Sequence, residues 1–295
     1  MKSTPPTTTY LSLENSLPLT CTRAGTCCHG KMVWLNPWEL ACLAVAKGCT
    51  AREFRDRYCE FGGIRLRFDG PPGWKELPAC SQYLQHNGCS VHSGRPLSCR
   101  LFPLGRELRG AAHRYMHRGK RFPCLEGCPE VEGLPHLTIA EYLAAQGVSP
   151  GQAAQDAYVE LMEKLADGAF ALLLETGLAA SGDRQTLHLW RKLGNEQSEK
   201  LAGYLGATWI DRLMLPEISC SLDDPAAFSL RHYDQLQEQA QVAFGTAGDF
   251  AALREASGVL MGLALHLGRG LGIQTAELAR HWIKTAKQHG EVIDK

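Results

Sequence analysis

Eleven of the twelve cysteines in this 295-residue chain precede residue 135, and only Cys220 lies beyond it. Thiolates are soft, strongly donating ligands suited to zinc and to iron–sulfur clusters. In a chain of this size, clustered cysteines point to metal ligation or redox groups rather than to a disulfide framework. The densest chemistry lies in Cys89–Pro103, where Cys89 and Cys99 flank His92, Arg95 and Arg100. Gly88 and Gly94 permit positive φ, while Pro96 and Pro103 fix φ and remove donors, so the run reads as a rigid knuckle rather than a helix. Upstream stand Cys21, the vicinal pair Cys27–Cys28 and His29. In an extended segment the two neighbours would point to opposite sides, so one small metal ion would not take both. Cys80 falls in a loop before Tyr83–Leu84, and His86–Gly88 reads as a tight turn into Cys89. Cys124 and Cys128 form a CxxxC pair bounded by Pro and Gly, a spacing within zinc and iron–sulfur usage. The candidate ligands are therefore Cys21, Cys27, Cys28, Cys80, Cys89, Cys99, Cys124 and Cys128. Cys42, Cys49 and Cys59 lie on or beside expected helices, form no close pair, and read as small buried hydrophobes.

Four histidines are near these thiols in sequence: His29, His92, His113 and His117. Each reads first as a hydrogen-bonded residue, with His92 the best placed of them, between two candidate cysteines. His113 and His117 are expected to share a face only on a helix, whereas Gly110 and Gly119 argue for a hairpin. Arg95 and Arg100 have two readings. As cofactor-binding residues they would hold a carboxylate or phosphate; as structural ones they would offset thiolate charge and donate to sulfur or a loop carbonyl. The structural role is preferred.

The run GCSVHSGRPLSCRLFP, with CTRAGTCC upstream, resembles the YkgJ-type cysteine-cluster family, described as zinc- or iron-chelating domains, to which flagellin lysine N-methylases are also similar. The resemblance covers roughly the first half of the chain. The family's upstream motif reads CxxCxxCC; here its second position is Ala24, which leaves Cys21, Cys27 and Cys28. The resemblance implies a zinc or iron–sulfur (4Fe–4S) centre. Through the methylases it implies methyl transfer to a protein substrate, with S-adenosylmethionine as a ligand at the cluster. The residues leave the partition open: one four-iron cluster with spare ligands, two four-thiolate sites, or zinc with a redox pair. Iron–sulfur is preferred to zinc, because the thiols are scattered from Cys21 to Cys128 rather than paired in two facing ribbons. No GxSxG elbow, HExxH helix or glycine-rich dinucleotide turn occurs, and the strands of a doubly wound methyltransferase are missing. The alternatives to a protein-modifying enzyme are a structural zinc interaction module and a metal-handling protein.

The elements that must position these residues divide in texture. Residues 1–135 carry 18 Lys and Arg against 11 Asp and Glu, a balance of +7; residues 136–295 carry 13 against 20, a balance of −7. The basic excess gathers in Arg100, Arg106, Arg109, Arg114, Arg118, Lys120 and Arg121, opposed there only by Glu107. Without interleaved stacking aromatics, the run argues against nucleic acid and for a solvated or docking face, the alternative being an anionic ligand near the thiols. Asn36–Glu39, Thr50–Glu53 and Thr138–Glu141 are capping boxes that open helices. Gly63–Asp69 alternates like a short strand, Gly70–Gly73 reads as a turn, and a basic hairpin is expected from Pro103 to Arg121.

Beyond residue 136, Tyr158, Leu161, Met162, Leu165, Ala169, Leu172 and Leu173 recur at helical spacing. Ala226, Leu230, Tyr233, Gln237, Ala240 and Phe244 suggest one apolar face of a later helix. The glycines of 258–272 fit close helix packing, and further helices are expected from Asp249 and after Gln274. The expected fold is mainly α: a loop-rich cysteine-cluster domain with short strands over 1–135, packed on an all-α domain over 136–295. The short junction 130–135 fits docked halves. Residues 1–20 read as a mobile or extended lead-in. The absence of an h-region or of a long apolar span leads to the expectation of a cytoplasmic protein without membrane partners.

Overall fold

The computed structural model describes residues 7–21, 23, 25–109, 112–118, 133–181 and 183–289. Its helices in chain order are α1 (Pro37–Lys47), α2 (Ala51–Tyr58), α3 (Leu97–Leu101), α4 (Ile139–Ala145), α5 (Ser149–Leu174), α6 (Gln185–Asn195), α7 (Ser198–Met214), α8 (Pro225–Phe244), α9 (Phe250–Gly270) and α10 (Thr275–His289). The strands are short: β1 (Thr8–Leu11), β2 (Ser16–Pro18), β3 (Cys59–Glu60), β4 (Arg65–Leu66), β5 (Gly70–Pro72), β6 (Pro78–Ala79), β7 (Tyr83–Leu84), β8 (Gly88–Cys89), β9 (Gly105–Arg109), β10 (Ala112–Arg118) and β11 (His136–Thr138). The protein is mainly α, with strands and loops gathered in the N-terminal half and helices throughout the C-terminal half.

Two compact units form, and they do not follow a single cut in the sequence. One is made of residues 1–33 and 67–152, the other of 34–66 and 153–295, the second boundary falling inside α5. The first unit holds the strands around the knuckle. β9 and β10 make the expected hairpin, with Ala112 opposite Arg109, and β1 adds antiparallel to β10, with Tyr10 opposite Met116. The lead-in is thus extended, and β2 pairs with β11, Leu17 opposite Leu137. An apolar cluster of Leu19, Leu97, Leu101, Leu104, Tyr115, Ile139, Tyr142, Leu143 and Val148 ties α3, α4 and the sheet together. At ~1.5–3 kcal/mol for each large side chain fully withdrawn from water, this cluster outweighs any single polar contact near it. α4 sits there because Thr138 and Glu141 form a capping box, the Thr138 amide donating to Glu141 Oε2 at 2.8 Å. Gly147, with φ of 58°, ends the turn that follows.

The second unit is a helical assembly that includes α1 and α2. Asn36 caps α1 with its Oδ1 accepting from the Glu39 amide at 2.9 Å, and Thr50 with Glu53 does the same for α2. The α5 stripe turns inward as its spacing predicts, with Tyr158, Ala169 and Leu173 sealed off completely and Leu172 half-buried. α9 is the core helix of this unit. It is long and apolar enough to cross a membrane by length and composition, and its residues from Ala256 to Gly270 are almost all buried. Its glycines admit neighbours: a Cβ on Gly258 would lie 2.6 Å from Leu189, and one on Gly270 2.5 Å from the Leu35 carbonyl oxygen.

Several local expectations change. The knuckle is not helix-free, since Leu97–Leu101 make α3 after the fixed φ of Pro96. Gly70–Pro72 is extended and pairs with β6 instead of turning, and the strand expected over 63–69 shortens to Arg65–Leu66. α8 buries Pro225, Phe228, Ser229, His232 and Leu236, while Leu230 stays 55% exposed. The face rotates because His232 can be buried at little cost: its Nδ1 meets the Tyr158 hydroxyl and its Nε2 the Arg212 carbonyl, both at 3.1 Å.

Candidate metal centre

Three short loops of the first unit carry the described candidate cysteines. Thr26–Cys28 is a 3₁₀ turn, so Cys27 and Cys28 are not in the extended conformation that would separate their side chains. Their thiols interact, and this contact is the leading cause that pushes the Cys28 thiol well above its ordinary range, followed by burial and by Cys27, Cys99 and Cys80 as neighbouring charges. The turn is zipped to the second loop. The Cys80 amide donates to the Cys28 carbonyl at 2.7 Å, the Gly30 amide to the Pro78 carbonyl at 3.0 Å, and His29 bridges to Ala79. From Cys80 the chain turns into the β7–β8 hairpin, where Tyr83 faces Cys89. Two glycines make this approach feasible. Gly25, at φ 88°, lies under the Tyr83 ring, where a Cβ would come within 2.2 Å of it; Gly88, at φ 71°, would place a Cβ 2.2 Å from the Arg23 carbonyl oxygen. The third loop is the knuckle, with Cys99 in α3.

The sulfurs sense one another across these loops. Cys99 is half-buried by surface, yet lost hydration leads in pushing its thiol up to about 12, with Cys80, Cys27 and Cys89 adding to the shift and Lys31 opposing it. Burial likewise carries Cys80 up to about 11, with Cys89 contributing. Cys89 is raised by burial, then by Cys27, against Arg95 and Arg23. In Cys28, Cys80, Cys89 and Cys99 the thiol form is favoured by burial and by the prospect of a second negative sulfur beside it. A cation among them would reverse that balance, because metal-bound thiolates are deprotonated. Cys27 is the exposed member; Cys28, Cys80, Cys89 and Cys99 are half-buried. Among the described residues, no three His, Cys, Asp or Glu side chains are drawn together tightly enough to hold a metal ion as they stand. The donor set fits a thiophilic metal in chemistry, and its side chains would have to move to close on one. Cys124 and Cys128 lie outside the described residues.

Cys21 has its own partners. His92 Nε2 is 3.7 Å from its sulfur, and Arg95 Nη1 donates to it at 3.3 Å. Burial, then Arg95, Arg23 and Arg100, hold His92 down at about 4, so it is neutral and suited to ligation near neutral pH. Arg95 also donates to the His92 carbonyl at 3.2 Å and to Gln146 Oε1 at 3.0 Å. Arg100 donates to the carbonyls of Arg95 at 2.9 Å, Gln146 at 2.8 Å and Ser93 at 2.5 Å. These are the sulfur and loop-carbonyl contacts of the structural reading. Lys31 lies 2.9 Å from the centroid of the Phe102 ring, beside the knuckle.

The other histidines take local roles. His29 is buried, its Nδ1 3.1 Å from the Gly25 carbonyl and its ring edge-on to Tyr83. His113 and His117 do share a face, but of strand β10, where residues four apart also align; His117 is buried and His113 exposed. The basic run becomes the hairpin, with Arg114 stacked on the Tyr10 ring at 3.9 Å and Tyr10 donating to Glu107 at 3.2 Å. Tyr142 and Gln146 are the site's neighbours that sequence reasoning did not single out. The only signal for them was the capping box that starts their helix.

Fold and site together make a cluster of thiols on short loops, with arginines beside it. Residues 20–118, a third of the chain, match the family model CxxCxxCC, "Putative zinc- or iron-chelating domain". No curated protein and no solved structure matches the chain.

Proposed function

We propose that this protein binds a thiophilic metal through Cys27, Cys28, Cys80, Cys89 and Cys99, with Cys21 and His92 at the edge of the centre. The observation that carries the reading is the approach of the three loops, where the Cys80 amide bonds the Cys28 carbonyl at 2.7 Å and the hairpin after Cys80 carries Cys89, with the raised thiols of Cys28, Cys80, Cys89 and Cys99 each influenced by another of these sulfurs. Tetrahedral zinc and a four-iron cluster each take four cysteine ligands, but zinc ribbons pair two facing knuckles whereas these thiols come from three separate loops, which suits a cluster assembled from several loops. Iron–sulfur is accordingly our preferred form, and a zinc centre the second. Bound metal would supply either electron transfer and Lewis acidity or a purely structural crosslink. The chain's own residues hold the sulfurs at the meeting of the three loops and set positive charge beside them. Arg95 and Arg100 belong, in this proposal, to the wall of the metal site. A protein-modifying role with S-adenosylmethionine stays with the resemblance to the methylases, and a reducing cytoplasm is the setting that would keep the thiols available.

The test is metal and acid-labile sulfide analysis, with an absorption spectrum, on anaerobically purified protein. Iron and sulfide in stoichiometric amount are expected, with alkylation of the cluster thiols blocked until a chelator is added. Stoichiometric zinc in a colourless protein replaces the iron form by the zinc form. Free alkylation of all these thiols in the freshly purified folded protein refutes both.

A further inference from the structure

The matched segment stops at residue 118, but contacts to the cysteine loops do not. Tyr142 and Gln146 lie on α4 and on the turn that ends it. The Tyr142 hydroxyl donates to the carbonyls of Arg100 at 3.1 Å and Phe102 at 2.7 Å, the latter beside Lys31. Gln146 serves two arginines at once, its Oε1 accepting from Arg95 and its carbonyl from Arg100. Tyr142 is 2% and Gln146 8% exposed, and Ile139, Leu143 and Val148 around them belong to the same apolar cluster as Leu97 and Leu101 of α3. A buried glutamine is kept where its polar atoms have partners, and here the side-chain oxygen's partner is the guanidinium that touches Cys21.

We propose that the metal-binding unit extends through Gly147, and that Gln146 is a positioning residue that holds the Arg95 guanidinium against Cys21 Sγ. The inference rests on the thiolate–metal reading above. A guanidinium has a rigid plane of donors, and three acceptors around Arg95 (the His92 carbonyl, Gln146 Oε1 and Cys21 Sγ) fix that plane. Without the Gln146 acceptor, Nη2 is left to seek another partner and the plane is free to rotate away from sulfur. A hydrogen bond from a cation withdraws charge from a thiolate, so its loss changes the electronic character of the centre as well as its affinity.

The full chain is loaded anaerobically with cobalt(II) as the probe, and read by the thiolate-to-cobalt charge-transfer absorption and by competition with a chelator. Gln146→Met keeps the volume and removes the acceptor. It is expected to weaken cobalt retention about tenfold or more, the scale of an outer-shell change, and to move the charge-transfer band to lower energy. Gln146→Glu restores an acceptor and is expected to keep both near wild type. Arg95→Met approaches the same contact from the donor side and is expected to reproduce the band shift. A Gln146→Met protein with wild-type affinity and band overturns the proposal, as does a Gln146→Glu protein that behaves like the Met variant. A wild-type chain with no thiolate-to-cobalt band shows that these thiols do not take a single thiophilic ion and overturns the positioning proposal with it, leaving the metal reading to the iron, sulfide and alkylation analysis above, whereas a normal band that Gln146→Met leaves in place refutes only the positioning role.

Discussion

Replacing Tyr142 by Phe deletes one oxygen and leaves the ring in its place in the core, so the change isolates the hydroxyl that clasps the knuckle. That hydroxyl, on a residue 2% exposed, serves two carbonyls, at 3.1 Å on Arg100 and 2.7 Å on Phe102. No cavity opens, since the aromatic body is unchanged; the loss is one shared hydrogen bond together with two acceptors left short of a partner. Net hydrogen bonds are each worth about 1 kcal/mol and an unsatisfied buried group about 1–3 kcal/mol, which sets the expected loss at ~1–3 kcal/mol. Local opening of the knuckle should rise by roughly 5- to 150-fold at 1.36 kcal/mol per decade. The assay is amide hydrogen exchange on the metal-free full chain, read at the Phe102 amide, bonded to Ser98, and the Leu104 amide, bonded to Leu101. Amides in α5 and α9 serve as internal controls. Unchanged protection at Phe102 and Leu104 would show that α4 does not hold the knuckle through this hydroxyl. An equal fall at the controls would show that the mutation acts on global stability instead.

Cys99→Ser is expected to abolish metal retention while Cys220→Ser leaves it intact, measured by metal content and absorption after desalting. Gly88→Ala sets a Cβ 2.2 Å from the backbone oxygen of Arg23 at a φ of 71°; with strain of ~1–3 kcal/mol it should lower protection of the β7–β8 hairpin, and wild-type exchange there would contradict the geometry. Burial holds His232 at about 4 against an ordinary 6.5, so its contribution is fully present above pH 6.5 and lost as pH falls toward 4. That amounts to about 3 kcal/mol at the acid limit. Urea unfolding of the full chain, followed at amides of α5 and α8 between pH 7 and 4.5, should show this loss, and His232→Gln should flatten it; an equally steep decline in the variant would place the titration elsewhere.

Much of the fold is legible where a local rule acts alone. Asn36, Thr50 and Thr138 start helices because each side-chain oxygen accepts from the amide three residues on, a relation written within four letters of sequence. The α5 stripe is legible because its helix is long and its apolar positions repeat. α6 and α7 carry weaker signals. Asp183 rather than the adjacent Arg184 receives the first amides of α6, Gln197 gives α7 no side-chain cap, and Gly206 interrupts α7 with a φ of 74°. The α8 face was misplaced for a different reason: hydropathy counts His232 as polar, whereas its two hydrogen bonds let it sit in the core. At the site, the sulfurs and the arginines were readable as residue types. The turn that brings Cys27 to Cys28 and the reach of Gln146 to Arg95 depend on a tertiary approach 51 positions apart in the second case, and no spacing rule encodes that.

The meeting of Cys28 with Cys80 has a consequence for the unfolded chain. About 50 residues separate them, and most of that interval, residues 34–66, belongs to the other compact unit. In the native protein the two segments are joined by amide-to-carbonyl bonds, Cys80 to Cys28 at 2.7 Å and Gly30 to Pro78 at 3.0 Å, which vanish on unfolding. A metal ion that kept hold of both sulfurs in the denatured chain would act as a tether, and by the relation used for covalent crosslinks, closing a loop of about 50 residues would remove roughly 4 kcal/mol of chain entropy from the denatured ensemble. That share of such a centre's effect would be exerted on conformations that lack the fold. Stripping the metal should accordingly expand the denatured chain and raise its sensitivity to denaturant, even where the native contacts around the knuckle stay as they are.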